Sequence, residues 1–298
     1  MGGFFGGVLA RGSKDVTFIA RGAHLEAMRT GGLTVKSEVF GDFTVPVRAT
    51  DDPREVGPVD LVLFCVKTYD LEAAAEQARP LLGGDTLLIP VQNGIEVPDQ
   101  LARLLGEGHV LGGLTYVASS IESPGTVVQR SKTGALIFGE LKGGKSPRTE
   151  RVQSALREAG LDAALDVDIR RKMWEKFIVI CATGGVLALL RQPFGPVFAS
   201  PEASQLLRKT MGEVCTIARA NGLELPNETV DRIFEFLKEN MNPTAKSSMC
   251  QDLLAGRRLE LEYLNGAAVR LGRELGIDTP INFVIYTALK PYVLGSPS

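Results

Sequence analysis

Through the first half of the chain, short apolar runs rich in β-branched residues alternate with stretches of helical pattern. VTFIA at 16–20, DLVLFCV at 60–66 and TLLIPV at 86–91 read as strands, and the last two are followed by LEAAAEQARPLL and VPDQLARLL, which read as helices. Continuous apolar strands separated by helices predict a mainly parallel, doubly wound sheet covered on both faces. A Gly-rich, strand-favouring stretch follows from His109 to Gly139, then a helix from about Pro147 to Ala159 and one more short strand near Leu161 to Leu165. From Asp168 onward the strand signals fade. Long helical patterns take over, punctuated by Gln192-Pro193, Gly222, Asn242-Pro243 and Thr279-Pro280, with Gln192-Pro193-Phe194-Gly195-Pro196 expected as a helix-breaking loop. The final Gly295-Ser296-Pro297-Ser298 reads as a frayed end.

The 298 residues suit two domains at about 150 residues each. The break is expected near residue 167, giving an α/β domain over 1–167 and an all-helical domain over 168–298. With 44% apolar and 23% charged residues the chain lies far from the composition of disorder. Lys plus Arg is 33 against 35 for Asp plus Glu, so no broad basic face is expected and nucleic acid is a poor partner. No apolar stretch is expected to approach the roughly 20 residues of a membrane span, and no charged leader region is seen, so no membrane partner is expected. Cys65, Cys181, Cys215 and Cys250 are scattered without a Cys-x-x-Cys pair, the usage of reduced thiols in a cytoplasmic protein. His24 and His109 are the two histidines, so a multi-histidine metal site cannot be assembled and no metal is expected.

The opening Met1-Gly2-Gly3-Phe4-Phe5-Gly6-Gly7 has the pattern of a helix packed so closely that glycine is required along one face. In a Rossmann-type dinucleotide domain the last glycine of Gly-x-Gly-x-x-Gly sits where the first helix crosses the first strand, and Gly2 fits that role, with Gly3 beside it. The first strand and the first two glycines of that fingerprint are not in the sequence, so the sheet is expected without its first strand. Strand VTFIA ends at Ala20-Arg21-Gly22, about where such a fold reads the adenosine ribose; a guanidinium there suits a 2′-phosphate and argues for NADP over NAD, the alternative being an ordinary surface arginine. Lys67-Thr68 and Gln92-Asn93-Gly94 close the next two strands, at the sheet edge where open α/β folds bind ligands. The helical half carries Trp174-Glu175-Lys176, then Ser247-Ser248-Met249-Cys250-Gln251-Asp252 and Glu260-Leu261-Glu262-Tyr263-Leu264-Asn265-Gly266. Trp174 and Tyr263 read as core anchors.

This set resembles the ketopantoate reductase family, the 2-dehydropantoate 2-reductases of pantothenate biosynthesis, over nearly the whole chain; the serine and glutamate segments carry the resemblance more specifically than the glycines. It implies reduction of a small 2-oxo acid by NADPH in a cleft between a Rossmann-type domain and a helical one. Position by position, it implies Lys176 as catalytic lysine, Glu260 as its acidic partner or a cofactor ribose ligand, and Ser248 as a substrate serine. It further implies Asn93 near nicotinamide ribose and substrate, and Lys67 and Arg21 as cofactor-side cations. Lys246 is a further candidate for the substrate carboxylate. An ammonium beside a carbonyl that accepts hydride both stabilises the growing negative charge and delivers the proton. Without the resemblance, Lys172, Lys176, Arg257, Arg258, Glu260 and Glu262 read as a solvated, ion-paired face.

The match breaks at three places. Family members carry asparagines one and two helical turns beyond the lysine, where this chain has Ile180 and Gly184, and often another three residues before Ser248, where it has Ala245. Losing those donors favours a less polar or differently shaped oxo acid. A paralogous reductase of another 2-oxo acid and a non-catalytic NADPH-binding protein are therefore the competing expectations. The absent first strand leads to the expectation that the functional product begins upstream of Met1. Helical domains of this kind often pair, which allows a homodimer.

Overall fold

The structure, a computed structural model, describes residues 1–295. Serines and proline at 296–298, expected as part of a frayed end, lie outside the described residues. The chain divides into two compact units: Met1–Gln92 with Val97–Arg170, and Asn93–Glu96 with Arg171 onward.

The first unit is α/β. Strand Thr17–Ile19 pairs in parallel with Arg48–Thr50, and Leu61–Phe64 pairs in parallel with Leu87–Pro90. A parallel bridge from Leu88 to Val110 leads on to Gly112–Thr115, which runs antiparallel to Leu136–Gly139; that strand pairs in parallel with Ala163–Leu165. A fourth sheet differs from the expected simple alternation. Leu33–Ser37 and Phe43–Val45 form an antiparallel pair, Thr126–Gln129 joins Leu33–Ser37 in parallel, and Ser119–Ser123 closes the other edge. The segment 33–50 lacks long apolar runs because its strands alternate buried and exposed positions, as Leu33, Val35 and Ser37 do. Helix Gly2–Arg11 packs Phe4, Phe5 and Val8 into a core with Leu33, Val35, Ile89, Leu136 and Phe138. Its glycines are required there. A β-carbon at Gly3 would stand 2.8 Å from Val127 Cγ1, one at Gly6 2.5 Å from Phe18 Cε1, and one at Gly7 2.7 Å from Val35 Cγ2, all inside the separation real carbons allow.

The second unit is helical, with no strand among its described residues. Its spine is Ile169–Leu190, buried continuously from Cys181 to Ala188. One expectation is corrected here: at 22 residues this helix is long and apolar enough to cross a membrane. Lys172, Glu175 and Lys176 near its start hide that length in the sequence, and 72% of its apolar window is buried inside the protein, the environment of a core helix. A second correction concerns 192–196, expected as a loop. Pro193 caps a short helix, Phe194–Ala199; a proline next to a helix start lacks only an N–H that the first turn leaves unbonded anyway. Helices Pro201–Ala220, Thr229–Asn240, Ser248–Leu254, Asn265–Glu274 and Pro280–Leu289 complete the unit.

A buried polar cluster ties four of these helices. Asn265 Nδ2 donates to the Cys181 carbonyl at 3.2 Å and to Asn282 Oδ1 at 2.9 Å, while Asn282 Nδ2 donates to Glu213 Oε2 at 2.7 Å. The same carboxylate accepts the backbone N–H groups of Ile281 and Asn282 at the start of Pro280–Leu289, as an anion at a helix N-terminus should. Asn265 reaches the spine because residue 185 is glycine: a β-carbon there would lie 2.6 Å from Asn265 Oδ1.

Candidate functional site

Helix Ile169–Leu190 sets Lys176 in the second unit with 7% of its surface exposed. Glu260, at the head of the short turn Leu261–Tyr263, is 8% exposed. Burial pulls the Lys176 ammonium down to about 8, since leaving water penalises the charged form, and the Glu260 charge opposes that fall. The solvated, ion-paired face that the sequence alone allowed does not form as one surface. Lys172 pairs with Glu175, Arg257 with Asp252, and Glu262 takes Lys290 and the Tyr286 hydroxyl, whereas Lys176 and Glu260 are buried.

The two serines separate into different tasks. Ser247 caps helix Ser248–Leu254, its hydroxyl accepting from the Cys250 N–H at 3.2 Å. Ser248, one residue on, is exposed, and Lys246 is half-buried with its carbonyl taken by Gln251 Nε2 at 2.9 Å. Asn93 belongs to the short segment 93–96 that packs with the helical unit, held there by Glu96 Oε2, 2.5 Å from Arg270 Nη2. Gly94, at φ +118°, supplies the turn that redirects the chain after the strand. Lys176, Glu260, Ser248, Lys246 and Asn93 are thus all carried by one compact unit. Trp174 is 6% exposed and meets the Phe177 ring edge-on at 5.7 Å, a core anchor as expected.

Gly2, Gly3, Arg21 and Lys67 are carried by the first unit. Gly2 faces Cys65, whose Cβ lies 3.2 Å from where a β-carbon on Gly2 would be, so the first turn of the helix presses directly on the strand end. Arg21 stands between strand Thr17–Ile19 and helix Gly22–Gly31 with its side chain 82% exposed, and donates to Asp70 at 3.0 Å. Lys67 precedes the turn Thr68–Asp70 that carries that aspartate. Gln92 is a further candidate that its sequence context did not single out. Both polar atoms of its side-chain amide are buried without a hydrogen-bond partner, at the carboxyl end of the strand Leu87–Pro90. Leaving such a group unpaired costs about 1–3 kcal/mol, the mark of a place a polar ligand completes. An orphaned amide at one strand end and an exposed guanidinium at another fit a phosphorylated dinucleotide. Gln92 could have been found through its neighbour in Gln-Asn-Gly, but only burial reveals its unmet bonds. His24 Nδ1 accepts from the Gly125 N–H and His109 Nδ1 bonds the Thr86 carbonyl, so both histidines serve the fold.

Known proteins resemble this chain over nearly its whole length. Residues 1–143 match the family model for ketopantoate reductase PanE/ApbA, and residues 168–293 match that for its C-terminal domain. A 2-dehydropantoate 2-reductase of Archaeoglobus fulgidus is 31% identical, the match covering 95% of this chain and 91% of the relative. The uncharacterized oxidoreductase YkpB of Bacillus subtilis is 27% identical over 98% of this chain and 95% of its own length. The crystal structure of 2-dehydropantoate 2-reductase from Geobacter metallireducens superposes with a TM-score of 0.89 at 33% identity, covering 96% of this chain and 95% of that one. The chain therefore belongs to the ketopantoate reductase family and is an NADP-dependent oxidoreductase.

Proposed function

We propose that this protein carries out NADPH-dependent reduction of a 2-oxo acid to the 2-hydroxy acid, with ketopantoate, the substrate of pantothenate biosynthesis, as the substrate its family implies. NADPH, when bound, supplies the hydride. Lys176 supplies the proton: its ammonium hydrogen-bonds the ketone oxygen, stabilises the charge that grows there, and releases Nζ–H to it. A lysine held near 8 is well matched to this work at neutral pH, charged in most molecules yet a far better acid than a solvated lysine. Glu260 keeps the ammonium charged against its burial, and Ser248 with Lys246 receives the substrate carboxylate. Asn93 orients the substrate beside the lysine. Arg21 and Lys67 hold the cofactor phosphates, with Gly2 and Gly3 bringing the helix N-terminus close behind them.

The observation that carries this reading is the buried Lys176, whose charged form the Glu260 carboxylate favours. A second reading, reduction of a different 2-oxo acid, is favoured by Ile180 and Gly184. The test is loss of NADPH absorbance over a panel of oxo acids, with an NADPH binding titration alongside. Turnover that disappears in Lys176→Ala while NADPH still binds supports the reading. Binding without turnover of any oxo acid makes the chain a non-catalytic NADPH-binding protein.

A further inference from the structure

Lys176, Ile180 and Gly184 fall on one face of helix Ile169–Leu190, a turn apart in succession. After the ammonium that face carries one hydrogen-bonding side chain, Thr183, and no amide. Ile180 is half-buried and branched; Gly184 is buried. A β-carbon on Gly184 would lie 3.4 Å from Leu264 Cδ1 and 3.6 Å from Met249 Cε, ordinary contact distance, so the surroundings of Gly184 are methyl groups. Met249 is 2% exposed and directly follows Ser248; Leu264 is 3% exposed and lies four residues beyond Glu260. The segments that carry the proposed serine and acid thus also supply the hydrocarbon. The nearest hydroxyl on the helix, that of Thr183, donates to the Val179 carbonyl at 2.8 Å. Ala245, before Lys246, adds a methyl rather than a donor.

We infer that the substrate is a 2-oxo acid whose carbon-3 substituent is pure hydrocarbon, and that Ile180, one turn beyond Lys176 and backed by the buried Met249 and Leu264, selects against a hydroxyl on it. The inference rests on Lys176 as the proton donor. In the reaction, hydride from NADPH forms the new bond at carbon 2, the carbonyl π pair moves to oxygen, and Lys176 Nζ gives that oxygen its proton. NADP⁺ and the hydroxy acid leave, and the neutral amine regains a proton from water. Carbon 3 and its substituent are unchanged throughout, so what touches them sets specificity and not the chemistry.

The test uses a matched pair, ketopantoate and 3,3-dimethyl-2-oxobutanoate, the same acid without its hydroxyl. A hydrocarbon pocket rejects an added hydroxyl by up to about 10²-fold, whereas a site built to bond the hydroxyl rejects the acid lacking it by about 10⁴-fold or more. In the full-length protein with NADPH, kcat/KM is expected to favour the dimethyl acid by about 10- to 100-fold, and Ile180→Asn is expected to move that ratio toward ketopantoate by about 10-fold. The ratio is internal to each variant, so partial loss of folded protein does not disturb it. Preference of the natural chain for ketopantoate, or a ratio unmoved by Ile180→Asn, overturns the inference while the reductase reading stands. Turnover of neither acid, nor of other aliphatic 2-oxo acids of four to six carbons, with NADPH still bound, overturns the reductase reading itself.

Discussion

Glu260 sustains the charge of Lys176. The lysine is buried deeply enough to bring its ammonium down to about 8, and the Glu260 charge is what opposes a further fall. Lys172 and Glu175, on the same helix, pair with each other at 3.4 Å, so the opposing charge that bears on Lys176 comes from the turn carrying Glu260.

Glu260→Gln is accordingly expected to lower the Lys176 pKa below its present value, because burial remains and the favourable charge is gone. The alkaline limb of the kcat/KM profile should move to lower pH, and the rate at neutral pH should fall by roughly 10-fold or more. A limb that stays in place would show that Glu260 acts on something other than the lysine charge. Lys176→Ala should cost about 10²- to 10⁴-fold in kcat and leave no alkaline limb of this origin.

The same lysine makes stability depend on pH in a defined direction. Its folded pKa, about 8, lies below the ordinary 10.5, so between those values the unfolded chain binds more protons than the folded one. Stability therefore rises with pH across that window and is lowest below it. Relative to Lys176→Met, the natural chain should gain about 3 kcal/mol between pH 8 and 10.5, a difference that urea unfolding at several pH values measures.

Two glycines within helices should respond oppositely to alanine. At Gly185 a β-carbon would meet Asn265 Oδ1 at 2.6 Å and Ile285 Cγ2 at 2.8 Å, so Gly185→Ala should destabilise by about 1–3 kcal/mol or more. At Gly212 nothing stands within 4 Å, and Gly212→Ala should stabilise by about 0.5–1 kcal/mol through helix propensity. Thermal or urea midpoints of the two variants decide the matter; equal effects would mean that the Asn265 contact can relax.

Arg21→Ala tests how the cofactor is chosen. With its guanidinium 82% exposed, the change should leave the fold intact and raise KM for NADPH by about 10- to 100-fold, as for loss of a charged hydrogen bond, with little effect on NADH. An equal rise for both cofactors would place the arginine away from the 2′-phosphate.

Much of the fold was legible because it rests on local pattern. The apolar runs at 61–64 and 87–90 became parallel neighbours, and the helical stretches beginning at Val97 and Pro147 formed close to their expected ends. The strands between Leu33 and Thr50 escaped because their buried positions are separated by half-buried and exposed ones and form no continuous apolar run. The length of the spine helix escaped because its charged first turns mask an apolar body. In the candidate site, Lys176 and Glu260 were visible as residue types in motifs, but neither motif says that both are buried. The unmet bonds of Gln92 were not visible at all.

The sequence by itself determined the class of fold, the helical second half and the residues able to do acid and cation chemistry, because periodicity, glycine spacing and side-chain type are local properties. Only the tertiary structure decided that Lys176 leaves water while Lys172 does not, that Ser247 caps a helix while Ser248 stays exposed, and that methyl groups of Met249 and Leu264 lie beside Gly184. Those outcomes depend on which distant segments come to lie against one another, and the resulting desolvation and crowding are set by the partners, not by the residue's own neighbours along the chain.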